Sequence, residues 1–311
     1  MGGERAVVTA LIDGYEPLAE QPVAARSDLR FICVTDDPSL TSDTWEIRVI
    51  EPAFPRDPVR SARRVKVMLH EYVPECDETL FIDNAISLRE TPESILDAVL
   101  ADHDLALVRH SFRESVADEF AIVADDGLDD PARVFEQLMH YTATHPDVLE
   151  QRPFSAGFIA RRRTPEVEAA MRTWFDHLLR YSRRDQLSLN LALALHDIEP
   201  TVLALDNADN LLFTATVPAG RRGERRTGAY RAAMRPPATE VRAAERRAAD
   251  LEERVVAAET MNAELIERLG EVQAALEAER EAVETARAEV EDTHRTISWR
   301  ITAPLRALRR G

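Results

Sequence analysis

The hydrophobic period of the chain changes at Val241, and that change constrains the fold more than any other feature of its 311 residues. From there on, apolar side chains recur in alternating steps of three and four. With Val241 at heptad position a, the a series continues through Ala248, Val255, Asn262, Leu269, Leu276, Val283, Val290 and Ile297. The d series is Ala244, Leu251, Ala258, Leu265, Val272, Glu279, Ala286 and Thr293. Fourteen of these seventeen positions are apolar and Gly270 is the one strong helix breaker, so the spacing predicts a coiled-coil helix. At about 1.5 Å per residue such a helix would be roughly 85 Å long, and it could not bury its seam alone. Asn262 at an a position and the g-to-e′ pairs Arg247–Glu252 and Arg254–Glu259 favour a parallel, in-register homodimer. A hetero-coil, or a helix docked elsewhere, is the alternative.

Before Val241 the pattern is of another kind. Short apolar runs at 6–12, 29–35, 45–50, 79–83, 105–109 and 157–161 read as buried strands. Helical stretches are expected between and after them, at 59–72, 92–100, 130–142, 165–181 and 184–195. Thr91-Pro92-Glu93 and Thr164-Pro165-Glu166 each set a capping hydroxyl before a proline suited to the first helical position. This alternation predicts an α/β domain with a mostly parallel sheet flanked by helices, followed by the long C-terminal helix. The expected boundaries are 1–218 for the α/β domain, 219–237 for an Arg/Gly/Pro-rich linker, 238–297 for the coiled coil and 298–311 for a basic tail.

Charge narrows the partners. The formal net charge is −17, and residues 1–219, with 21 basic and 39 acidic side chains, account for −18 of it. Phosphate repulsion over most of that surface argues against nucleic acid. The tail reverses the sign. Residues 298–311 combine Trp299, Ile301, Leu305 and Leu308 with four arginines and no acid, a composition suited to an anionic membrane surface; a frayed, solvated coil end is the alternative. With no secretory signal, no apolar span and only Cys33 and Cys76, the expected location is the cytoplasm, peripheral to the membrane.

Four groups of residues could carry chemistry. Asp36 and Asp37 end a buried strand where a carboxylate could accept from a ribose or a base, or simply close an Asx turn. Arg60, Arg63, Lys66 and His70 fall within roughly 80° of one another on one helix, as a counter-charge for a diphosphate or a solvated face. Lys66 is the single lysine among 39 basic residues. Asp83 lies in LFIDNAISL between two apolar runs, a place to hold Mg²⁺ or Mn²⁺ or an ordinary turn. Asp185 and Gln186 open an apolar helical run behind Ser182, a candidate cap.

Taken together, AVVTALIDGYEPL, FICVTDDP, Arg63-x-x-Lys66 with His70, FIDNAIS, His110-x-x-Arg113 with Glu119, Gln137-x-x-x-Tyr141, GFIARR and SRRDQLSL resemble one family. It is the glycosyltransferase-like domain of plant mucilage-associated and turgor-regulation proteins and their bacterial relatives. The resemblance implies a GT-A-type fold and a nucleotide-sugar donor, UDP-linked, used on a glycan or other acceptor. It assigns Asp185 and Gln186 to catalysis, Asp36, Asp37, Arg63, Lys66, His110 and Arg113 to the donor, and Asp83 to a divalent metal, Mn²⁺ or Mg²⁺. Asp83-Asn84-Ala85 lacks the second carboxylate of an Asp-x-Asp turn, so Asn84, His110 or His196 would have to complete a metal site. The ending SWRITAPLR is similar to tails that follow coiled coils in bacterial surface-polysaccharide glycosyltransferases. A non-catalytic scaffold with a degenerate sugar-nucleotide domain is the competing expectation. A lipid-acting hydrolase is disfavoured, because neither a G-x-S-x-G nor an H-E-x-x-H motif occurs.

Overall fold

A computed structural model of the chain describes residues 3–215, 237–296 and 300–302. The expected linker and basic tail fall almost wholly outside these residues. Two compact units divide the chain, Met1–Glu240 and Val241–Gly311.

In the first unit the strands are β1 (Glu4–Leu11), β2 (Arg30–Thr35), β3 (Glu46–Val49), β4 (Cys76–Ile82), β5 (Ile86–Leu88), β6 (Leu105–Arg109), β7 (Phe154–Arg162), β8 (Thr201–Leu203) and β9 (Phe213–Ala215). The helices are α1 (Pro58–Val67), α2 (Leu69–Tyr72), α3 (Pro92–Val99), α4 (Val116–Asp125), α5 (Pro131–Thr144), α6 (Pro146–Glu150), α7 (Pro165–Arg180) and α8 (Leu189–Leu195). Seven strands form one sheet in the order β3-β2-β1-β4-β7-β6-β8, with β5 and β9 paired as a separate ribbon. Only β7 runs against its neighbours; the β3-β2-β1-β4 block and the β6-β8 pair are parallel. This is the expected α/β architecture.

The strands read as continuous apolar runs because both faces of the sheet are covered. Along β1, Ala6, Val8 and Ala10 pack with Val65, Trp174 and Leu178 on one face. Val7 and Leu11 pack with Ile95, Leu96 and Phe213 on the other. A smaller core beneath α4, α5 and α6 includes Leu187 and Leu191.

Several local expectations needed correction. The single helix expected over 59–72 breaks at Met68, because the Arg161 guanidinium takes the carbonyls of Lys66 (2.6 Å) and Val67 (3.0 Å) that would otherwise continue the ladder. Thr164 caps α7 as expected by accepting from Val167 N–H, whereas Thr91 does not cap α3: its hydroxyl donates to Ser94. The helix expected from 184 begins as a 3-10 turn, Asp185–Leu187, before α8. Ser182 stands upstream of its cap position, where its hydroxyl accepts from the Arg184 N–H at 3.1 Å and donates to Asp129 at 2.6 Å. Helix α4 was not anticipated, although Ser115 caps it from the Asp118 N–H and Val116, Phe120 and Val123 give it a buried stripe.

The second unit carries α9 (Pro237–Arg295). Its seam residues are about half exposed on the single chain, with Leu251 at 54%, Leu265 at 50% and Leu276 at 50%. Among the described residues no helix is long and apolar enough to cross a membrane.

Candidate active site at the carboxyl end of the sheet

Parallel register brings the carboxyl ends of β1, β2 and β4 to one edge: Leu11 pairs with Thr35, and Val8 with Phe81. The residues that follow these strands, Asp13, Asp36 and Asp83, therefore share that edge. Ligands in such sheets bind beyond these ends.

Asp36 Oδ1 accepts from the Asp13 N–H at 2.9 Å, tying two strand ends across a turn in which Asp13 (φ 63°) and Gly14 (φ 52°) are both left-handed. Asp37 closes a local turn, accepting from the N–H (2.8 Å) and hydroxyl (2.6 Å) of Ser39, which holds its carboxyl below the usual range. Of the two aspartates, Asp36 reaches a neighbouring strand end and Asp37 makes the Asx turn.

The centre of the site is an ion cluster. The Lys66 side chain is 2% exposed, and its Nζ lies 3.1 Å from Asp83 Oδ1 and 2.9 Å from Asp185 Oδ2. Arg63 Nε stands 3.1 Å from the same Asp185 oxygen. The two carboxylates differ in exposure, at 39% for the Asp83 side chain and 5% for Asp185. Burial alone would raise the Asp185 carboxyl; Arg63, Lys66 and Arg184 overcome it and hold the group well below the ordinary carboxylate range. The Trp174 indole N–H donates to the Asp185 carbonyl at 2.9 Å and pins the backbone.

The four basic residues of the expected stripe part company. Arg63 and Lys66 enter the cluster. Arg60 is engaged by Asp57 and by the carbonyls of Leu178 and Tyr181, where it holds α1 against the end of α7. His70 lines a separate small cavity with Arg161, Arg163 and Glu168. Lys66 is thus a bridge between two acids and not part of an open cationic face.

Asp83 is placed by its neighbours. Its N–H donates to the Gly157 carbonyl on β7 at 2.8 Å, and its carbonyl accepts from Ile86 N–H at 2.9 Å, which turns the chain into β5. Asn84 is buried: its Oδ1 accepts from the Thr9 hydroxyl at 2.7 Å, and its Nδ2 donates to the Tyr15 hydroxyl at 3.3 Å. Of the two distant ligands expected, His196, just past α8, shares a hydrogen bond with Thr173 of α7, and His110 stands among Arg113, Arg152 and Arg184. Among the described residues no three His, Cys, Asp or Glu side chains converge as a metal cluster. This donor set does not fit a protein cage for Mn²⁺ or Mg²⁺, since Lys66 already faces Asp83 and Thr9 occupies the amide oxygen of Asn84.

A second group adjoins the first through Arg184. Arg113 Nε donates to the buried Glu119 at 2.7 Å, and Arg184 lies 4.0 Å from the other oxygen of that carboxylate. Burial pushes the Glu119 carboxyl up, against the pull of both arginines. Arg184 also donates to Gln186 Oε1 at 3.3 Å. His110 accepts at Nδ1 from the Phe112 N–H, and burial, reinforced by Arg113, Arg152 and Arg184, pushes its pKa down to about 4. The imidazole is therefore neutral near pH 7.

The sequence reading missed Arg152, Arg184 and Gly157. Arg184 sits beside Asp185 in SRRDQ and could have been noticed there; nothing local marks Arg152, whose importance comes from a fold contact 39 residues away with the Arg113 carbonyl.

A family model described as TOD1/MUCI70, glycosyltransferase-like domain, matches residues 33–205. The match spans β2 to β8 and includes every candidate site residue from Asp36 to Gln186. No curated protein matches the chain.

Proposed function

The chain belongs to the TOD1/MUCI70, glycosyltransferase-like domain family, and from that premise we propose that it transfers a sugar from a UDP-linked donor to a glycan or other acceptor in surface-polysaccharide synthesis. The observation that carries this reading is the joining of Asp83 and Asp185 through one buried ammonium, at the edge of the sheet where ligands bind. In this reading Asp36 and Asp37 face the nucleoside, while Arg63, His110 and Arg113 lie on the diphosphate side. Asp185 and Gln186 orient the donor sugar and the acceptor. Lys66 acts by setting the two carboxylates. Catalysis would then come from positioning and from stabilising charge on the departing diphosphate.

The test is UDP-sugar turnover by the full chain and by Asp83→Ala and Asp185→Asn variants that keep their melting temperatures. Turnover should fall by about a hundredfold or more in each. Rates like wild type in both would remove the assignment.

A second reading, a sugar-nucleotide-binding scaffold without transfer, is favoured by Lys66 and Arg63 already pairing both carboxylates. Binding of UDP-sugars detected as a thermal shift, with no turnover, would select it. In either case the exposed seam of α9 suits a second copy of the chain in parallel register. The expected setting is the cytoplasmic face of a membrane.

A further inference from the structure

Four arginines stand around His110 and Asp185 with much of their hydrogen-bonding capacity unengaged. Each guanidinium offers five N–H donors. Among the described residues, Arg113 uses only Nε, on Glu119. Arg184 uses one terminal nitrogen on Gln186, and its Nε is buried without an acceptor. Arg63 Nε is likewise buried without a hydrogen-bond acceptor, at ion-pair distance from Asp185 but outside hydrogen-bond geometry. Arg152 Nε donates to the carbonyls of His110 (3.1 Å) and Arg113 (3.0 Å), which fixes the loop that presents Arg113; its other contacts, to Ser111 and Glu114, are long at 3.4 Å.

These groups are neither surface-free nor sealed. The side chains of Arg63, Arg113, Arg152 and Arg184 are 19%, 24%, 35% and 29% exposed. Around His110, Arg113, Arg152 and Arg184 face two buried carboxylates, Glu119 and an Asp185 already shared with Arg63 and Lys66, and one carboxylate that is 80% exposed, Glu114. Glu16 lies toward Arg63 at the other end. A buried N–H without an acceptor is costly, and the two here, on Arg63 and Arg184 beside Asp185, together with the unengaged donors of Arg113, suit an anion with several oxygens. Beside Asp83 the situation is opposite for a cation. Lys66 Nζ already occupies the position 3.1 Å from Oδ1, so a divalent ion there would meet like charge.

We propose that Arg113, Arg152 and Arg184, together with Arg63, receive the donor's diphosphate as fixed cations, and that this binding needs no divalent metal. The proposal rests on the donor reading above and adds the diphosphate site to it. Planar guanidinium groups suit phosphate oxygens in pairs, and their charge does not depend on pH in the working range.

Calorimetric titration of the full chain with inorganic pyrophosphate and with UDP, in excess EDTA and in excess Mn²⁺, tests it. Both ligands should bind with Kd values that agree within about twofold across the two conditions. Arg184→Gln, and the double variant Arg113→Gln with Glu119→Gln that avoids stranding a buried carboxylate, should each weaken pyrophosphate by about tenfold or more. Arg133→Gln, on the exposed face of α5, should bind as wild type. Tightening by about tenfold on adding Mn²⁺, wild-type affinity in the site variants, or no binding of pyrophosphate would each overturn the proposal. Arginine-dependent pyrophosphate binding with no added affinity for UDP would uphold the anion site and remove the nucleotide donor. UDP binding only with metal would do the reverse.

Discussion

The sheet domain and the long helix handle charge and apolar surface in opposite ways. In the domain, charged side chains are drawn inward and paired across large sequence separations: Lys66 meets Asp185 119 positions away. Along α9 the described side chains are exposed, its ion pairs such as Asp250–Arg254 and Glu291–Arg295 are one turn apart, and its apolar seam faces outward. One region owes its order to contacts made within the chain. The other displays an apolar seam left exposed on the single chain. The difference teaches where a substitution should register, as lost stability in the first case and as lost assembly in the second.

The largest effect is expected where the domain's pairing is most buried. Lys66→Met strips Asp185 of its nearest partner and leaves Arg63 at ion-pair distance, with Arg184 acting from farther off, beside a carboxylate that is 5% exposed. Breaking a buried pair by removing one member costs about 3–5 kcal/mol, and the remaining arginines set the expectation near 3. Urea unfolding measures it. Adding Asp185→Leu should recover a good part of the loss, because the penalty lies in the stranded charge and not in a missing attraction. Asp83→Asn, at the exposed end of the same cluster, should cost less than about 1 kcal/mol. Equal losses at Asp83 and Asp185 would show that burial does not separate the two carboxylates.

The same contrast explains how much was legible beforehand. Heptad spacing is local, so the long helix could be read from 241 onward, and the strands from Ala6 to Arg161 announced themselves as apolar runs. Lys66 stood out by its rarity and Asp185 by its place against an apolar run. What could not be read was that the two meet, because that requires α1 and the turn after α7 to converge on the end of β4. Nor did spacing reveal that Arg161 would break the helix at Met68, or that Asn84 would be consumed by Thr9. Each depends on a partner 75 or more residues away. The two short strands β8 and β9 were missed for a related reason: each is three residues long, too short for a period to show.

On the other side of the comparison, charges placed in the seam should affect assembly and leave the domain alone. Leu265→Glu with Leu269→Glu puts like charges at adjacent d and a positions of both helices in a parallel dimer. Light scattering should move from twice the mass of one chain to the mass of one chain. The urea midpoint of the sheet domain should stay unchanged, since distant and independent sites add without coupling. A wild-type monomer at micromolar concentration would contradict the dimer, and a fall in the domain midpoint would show that the two units are not independent.

The smallest effect tests how finely the domain sets Asp83. A Cβ on Gly157 would lie 3.1 Å from Asp83 Oδ2 and 3.6 Å from its Cγ. That is tighter than ordinary contact, but the Asp83 side chain keeps 39% of its exposure and has room to give by a few tenths of an ångström. Gly157→Ala should therefore change the unfolding free energy by no more than about 1 kcal/mol, helped by the lower entropy of the unfolded chain. The carboxylate, in contrast, would shift relative to Lys66 Nζ. If Asp83 works by position, UDP-sugar turnover should fall by about tenfold in a variant whose melting temperature is almost unchanged, a loss that small displacements can cause. Unchanged turnover would mean that the glycine answers only to the packing between β4 and β7, and that Asp83 tolerates displacement.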